Sequence, residues 1–148
     1  MKRILVAVDG SSAALKAVDF AADLANKYEA ELVLLTVGAN LSPGVDPAFE
    51  EYARVEHIPA PATELAVAAA ETILDDARRA ARAKGAMRIS TAPSFGDPAR
   101  EIIAAAGDQQ VDLIVVGSRG HGRLAGLLLG SVAQKVISVA PCPVVVVR

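Results

Sequence analysis

The chain has 148 residues, of which 53% are hydrophobic and 22% charged, and carries a formal net charge of -2. That length fits one folded domain, residues 1–148, and that composition excludes a disordered chain. A weakly acidic balance leaves no clustered basic footprint for nucleic acid or an anionic membrane, and no Trp with three Phe and two Tyr offers few stacking platforms.

Arg3 to Val8 is a short apolar, β-branched run ended by Asp9-Gly10-Ser11-Ser12, residues that serve turns and helix N-caps. Preceded by Met1-Lys2-Arg3 it resembles a leader, but Asp9 breaks the apolar run and no small-residue cleavage pattern follows, so it reads as a first strand. The helix after it repeats Ala14, Val18, Ala21 and Ala25 at three and four spacing, one face for packing on a sheet. Glu31 to Val37 is the second strand. The stretch to about Ala62 holds Pro43, Pro47, Pro59 and Pro61 and is too long for an ordinary connection; its His57 reads as incidental.

A helical face recurs from about Thr63 to Lys84, with Gly85 suited to the position beyond its end. Arg78, Arg79, Arg82 and Lys84 crowd the last turns, where they complement the helix dipole and read as solvated. Met87 to Thr91 is a weaker third strand, and Asp97-Pro98 then supplies an N-cap acid and a proline at the first helical position, opening a helix to about Gln109. Val111 to Val116 is the fourth strand, a helix runs from about Ser131 to Val139, and Pro143 to Val147 is the fifth strand. Single Cys142, between Pro141 and Pro143, has no partner for an internal disulfide and reads as a small hydrophobe, which points to a reducing compartment. No apolar run approaches the roughly 18 residues that a membrane span requires, and the expected location is the cytoplasm.

Strands alternating with helices predict an open α/β fold: a single parallel five-stranded sheet covered on both faces through right-handed crossovers. Ligands of such sheets sit beyond the carboxyl ends of the strands, so the candidate site belongs in strand-to-helix loops. Two stand out. One is Asp9 to Ser12; the other runs from Gly117 to Val132 and holds five of the eleven glycines. Glycine permits close backbone approach, and the free N–H groups of a helix start attract an anion, with phosphate the obvious one.

Several phosphate-binding signatures are absent. There is no G-x-x-x-x-G-K-[ST], so no Walker A lysine. Gly120 to Ala125 matches a loose G-x-G-x-x-A, but it follows the fourth strand, and Asp112 is the last carboxylate, so the ribose-binding acid is missing. A phosphoacceptor of the response-regulator kind would need a carboxylate at the end of the third strand, where this reading places Ser90 and Thr91.

Gly117-x-x-Gly120, then nine residues, then Gly130-Ser131 resembles the G-2x-G-9x-G-[ST] signature of the universal stress protein family in its ATP-binding branch. ILVAVDGS, Gly96-Asp97-Pro98, VDLIVVGSRG and the ending APCPVVVVR are similar to landmarks of that family. The resemblance covers nearly the whole chain outside residues 38 to 85. It implies strand order 3-2-1-4-5, a Rossmann-like arrangement that puts the reversal between strands one and four.

The resemblance further implies ATP, with Mg²⁺, at the carboxyl edge. The backbone amides of Gly117, Gly120 and Gly130 and the Ser131 hydroxyl would hold phosphates, with Arg119 and His121 at the loop's mouth and an amide from Val132. Asp9 would face adenosine or a phosphate-bound Mg²⁺, Val37 would offer backbone hydrogen bonds to the adenine edge, and Ala7, Val8 and Val116 would line the strand ends. Thr36 stands where the family often shows His, which leaves the backbone role of Val37 intact. The same resemblance implies a homodimer through the last strand, Val144, Val145, Val146 and Val147, and a nucleotide-dependent regulator of stress response. Against this stand local readings: Gly122 and Gly126 as loop flexibility, Leu127 to Leu129 as a packed patch, Ser131 as an ordinary N-cap. A slow ATPase and a nucleotide-free dimeric interaction module are the rival functions.

Overall fold

The computed structural model describes residues 1–38, 64–121 and 129–148. The elements run β1 (Arg3–Ala7), α1 (Ser12–Tyr28), β2 (Glu31–Gly38), α2 (Glu64–Ala83), β3 (Ile89–Phe95), α3 (Pro98–Asp108), β4 (Leu113–Gly117), α4 (Ser131–Val139) and β5 (Val144–Val147). All strands pair in parallel in the order β3-β2-β1-β4-β5, a five-stranded sheet whose order reverses between β1 and β4. Expectations for His57, Gly122, Gly126, Leu127 and Leu128 lie outside the described residues.

A parallel sheet covered on both faces needs continuous apolar runs in its central strands, and Ile4 to Ala7 of β1, Leu32 to Leu35 of β2 and Leu113 to Val116 of β4 supply them. Ile4, Val6, Leu32, Leu34, Leu113 and Val115 turn to α1 and α2, while Leu5, Val33, Leu35, Ile114 and Val116 turn to α3 and α4. Each fully buried Leu, Ile or Val stabilises the fold by about 1.5–3 kcal/mol.

Helix starts follow side-chain chemistry. The Ser11 Oγ accepts from the Ala14 N–H at 3.2 Å at the start of α1, and Asp97 accepts from the Arg100 N–H at 3.0 Å at the start of α3, with Pro98 in the first turn. Helix ends were less legible. Gly85 takes φ +90 beyond α2 as its position predicts, but Glu29 and Gln110 adopt the same left-handed conformation, φ 51 and φ 50, beyond α1 and α3. What offsets their strain follows one residue later. The buried Ala30 and Val111 donate their N–H groups to Ala25 and Ala106 at 2.9 and 3.1 Å, closing the last turns against the core.

β3 starts later and ends later than the apolar run Met87 to Thr91. Met87 is 91% exposed and precedes the strand, while the strand continues through Pro93 to Phe95. Proline is tolerated because β3 is an edge strand, where a missing N–H costs no ladder bond on the open side. Ser90 and Thr91 are therefore the second and third residues of the strand, near its amino end, a correction to their placement at the carboxyl end. The phosphoacceptor reading fails for a different reason: β3 lies at the sheet edge, and Asp97 beyond it is engaged as a helix cap.

At the opposite, amino edge, carboxylates tie the strands together. Asp112 accepts the N–H groups of Lys2 and Arg3 at 2.6 and 3.0 Å, and Glu31 accepts from Ser90 Oγ at 2.9 Å and Arg3 Nε at 3.1 Å. The Ser90 hydroxyl and Arg3 hold Glu31 below the usual carboxylate range, the Lys2 amide does so for Asp112, and the Arg100 amide for Asp97. Lowered folded values mean stabilisation that is complete above the unfolded value near pH 4 and lost as pH falls through the folded one. Melting temperature is thus expected to stay level down to about pH 5 and fall below it. Asp112→Asn should flatten that fall, and an unchanged profile in the variant would deny Asp112 the role.

Candidate functional site

The topological reversal leaves a gap above the carboxyl ends of β1 and β4, and a cavity of about 240 Å³ opens there. Its floor is the core on the α3/α4 side: Leu35, Ile102, Val116 and Ala133 are all at most 3% exposed and line it. Ala7 and Val37 continue that apolar wall, and Val8 and Asp9 carry it into the β1 loop. Across from them stand Gly117, Arg119, Gly120 and His121, then Gly130, Ser131 and Val132 at the start of α4. Every residue expected at the site therefore lines this one cavity.

Sequence reasoning did not nominate Pro98 and Ile102 from α3, nor Ala14, Leu35, Ser118, Leu129 and Ala133. Two signals were available. Leu35 is two residues before Val37 and so shares its face of the sheet. The Asp97-Pro98 helix start is itself a loop at the carboxyl edge.

Asp9 is the single carboxylate among the described lining residues. Its Oδ1 accepts the Ser11 N–H at 2.9 Å, a side-chain turn that sets up α1, while Gly10 at φ +80 reverses the chain between them. Its Oδ2 faces Gly120, where a Cβ would sit 2.5 Å away. No cluster of three or more His, Cys, Asp or Glu that could cage a metal occurs among the described residues.

The glycine loop is pinned at both ends by backbone bonds. The Ser118 N–H donates to the Val147 carbonyl and the Gly130 N–H to the Ser118 carbonyl, each at 2.7 Å. The amide of Gly130 is thus engaged within the protein, and Ser131 is the first residue of α4 rather than its cap. The cap is Gly130 itself, with φ -70 and ψ 160 and no side-chain hydrogen bond. Helices α1 and α3 each receive a side-chain acceptor at this position; Gly130 supplies none to α4, whose first residues Ser131, Val132 and Ala133 line the cavity.

The glycines differ in why they are there. At Gly117 a Cβ would meet the Ala13 backbone carbon at 2.9 Å, so the protein's own packing requires that glycine; at Gly120 it would meet the tip of the Asp9 side chain, which turning the carboxylate relieves. At Gly130 φ is ordinary, and a Cβ would find its nearest neighbours at 3.5 Å, which is normal contact. Neither backbone conformation nor packing within the described residues demands glycine there.

No helix among the described residues is long and apolar enough to cross a membrane. The sequence pattern of the universal stress protein family matches residues 1–148. Universal stress protein YxiE of Bacillus subtilis is 37% identical over 146 residues, covering 99% of this chain and 98% of that protein. Among solved structures, the universal stress protein UspA from Lactobacillus plantarum superimposes with a TM-score of 0.80 at 29% identity, covering 99% of this chain and 97% of that one. A universal stress protein in complex with cAMP superimposes at 0.70 with 28% identity, covering 99% and 96%. With the strand order, the glycine spacing and a match along all its residues, the chain belongs to the universal stress protein family.

Proposed function

We propose that the cavity binds an adenine nucleotide, ATP in the first place, and that occupancy regulates the protein in a stress response. The observation that carries this reading is Gly130: a glycine that packing among the described residues does not need, at the start of a helix facing a cavity, with no side-chain cap of its own. Space without a Cβ and free N–H groups with a positive dipole are what a phosphate requires. The apolar wall of Ala7, Leu35, Val37, Val116 and Ile102 suits the flat base, and the neighbour that holds cAMP supports a nucleotide of this class. Arg119 adds positive charge at the phosphate end. A Mg²⁺ ion would come with the phosphates, for which Asp9 is the available carboxylate.

The dimer belongs to the same proposal. β5 pairs with β4 on one side, and among the described residues its other side, with half-buried valines from Val144 to Val147, is an open edge. A second copy pairing there would cover a run that is otherwise prone to aggregate. The cytoplasm, where Cys142 stays reduced, is the location that fits this role.

Calorimetric titration of nucleotide-stripped protein with ATP, with and without Mg²⁺, and with AMP and NAD for comparison, tests the reading. Micromolar ATP binding is expected, with NAD at least roughly tenfold weaker because the ribose-binding acid of a dinucleotide site is missing. Absence of heat with every ligand, in protein shown to be folded by circular dichroism, would leave the nucleotide-free interaction module in its place.

A further inference from the structure

One side chain joins the two loops that bracket the polar end of the cavity. Nε2 of His121 lies 2.7 Å from the backbone carbonyl oxygen of Asp9, its partner from 112 positions away. A carbonyl oxygen only accepts, so the proton resides on Nε2 and the ring donates. That bond occupies the nitrogen that would otherwise be offered to a phosphate oxygen, and gives His121 a different task.

Asp9 meets the same loop a second time through Oδ2, which abuts Gly120, while Oδ1 is restrained by the Ser11 amide. The backbone bonds at Ser118 and Gly130 hold the root of the glycine loop. Among the described residues, the bond from His121 is the one side-chain hydrogen bond that fastens residues 119–121 to the β1 loop.

We propose that His121 is a positioning residue for the nucleotide: its Nε2–H holds residues 119–121 against Asp9, so that the backbone at Gly120 stands where the phosphates arrive. This rests on the nucleotide reading of the cavity. The role is local to the phosphate end, and it depends on a donor at the ε position rather than on charge.

Three substitutions separate these features. His121→Gln keeps an amide donor at the ε position, His121→Asn carries one only at the δ position, and His121→Ala has none. Titrations at pH 8 are expected to show ATP affinity weakened roughly three- to tenfold in the alanine and asparagine variants, the loss of one neutral hydrogen bond. The glutamine variant should stay within about twofold of the wild type, and adenosine affinity should be unchanged to the same degree in all three. In ligand-free protein, imidazole ¹⁵N shifts should report the Nε2–H tautomer.

A glutamine variant as weak as alanine, an equal loss for adenosine, or an Nδ1–H tautomer would each overturn the proposal. A wild type that binds no ATP would overturn the nucleotide reading as well. A wild type that binds while glutamine fails to rescue would overturn the role of His121 alone.

Discussion

Gly130→Ser is expected to stabilise the ligand-free protein and weaken its grip on ATP. Ser11, which caps α1, has φ -72 and ψ 159, and Gly130, which stands at the same place on α4, has φ -70 and ψ 160. A serine at 130 thus finds the backbone it needs to accept the Ala133 N–H, as Ser11 accepts that of Ala14. A Cβ there meets nothing among the described residues closer than 3.5 Å. Replacing glycine at an N-cap by serine adds a few tenths of a kcal/mol, the gain in capping and the less flexible unfolded chain together. For a chain of this length that raises the melting temperature by about 1–2 °C.

The same Cβ and hydroxyl enter the space assigned to phosphate and engage an N–H group meant for it. An overpacked contact of about 1–3 kcal/mol weakens ATP binding roughly fivefold to 150-fold. Melting curves and titrations on one preparation measure both effects. Opposite signs are the signature of a helix start left uncapped for a ligand; unchanged ATP affinity in the serine variant would remove the phosphate from this position.

Much of the architecture was legible because parallel strands buried on both faces leave a plain mark. ILVAV, LVLL and LIVV need no tertiary information to be read as strands, and Asp97-Pro98 announces a helix by local chemistry alone. What escaped depends on neighbours. β3 was misplaced because an edge strand is only half covered, so its residues are mixed in polarity and admit Pro93. The left-handed ends at Glu29 and Gln110 carry no glycine and are stabilised by the buried Ala30 and Val111 that follow.

The site divides in the same way. Its loops were legible from glycine spacing and from the edge rule for open sheets, while Pro98 and Ile102 looked like ordinary helix residues until the fold set α3 beside the end of β2. The engagement of the Gly130 amide by Ser118 was beyond sequence altogether, since it depends on how the loop closes on itself. The motif's three glycines look equivalent as a pattern, and only geometry separates Gly117, which the α1 backbone requires, from Gly130, which nothing among the described residues requires.

That separation sets the second large effect. Gly117→Ala should destabilise the fold itself, whether or not a nucleotide is present. Gly117 ends β4 where the first turn of α1 crosses it, and an added Cβ would lie 2.9 Å from the Ala13 backbone carbon, 3.1 Å from its oxygen and 3.1 Å from its Cβ. Two of these three are main-chain atoms of a helix anchored by Ser11 and by the buried Ala14, Ala17 and Val18, so relief requires moving α1 off the sheet. Overpacking of this kind costs about 1–3 kcal/mol, a fall of about 2–12 °C in melting temperature for a chain of this size. Trimming the neighbour distinguishes the cause. Ala13→Gly removes only the side-chain part of the clash, so the double variant should recover little of the loss, and denaturant melts of the two singles and the double measure this directly. Full recovery would place the obstacle in the Ala13 methyl and release the α1 backbone from its part in shaping the cavity, whereas persistence of the loss ties the glycine at 117 to the seating of α1.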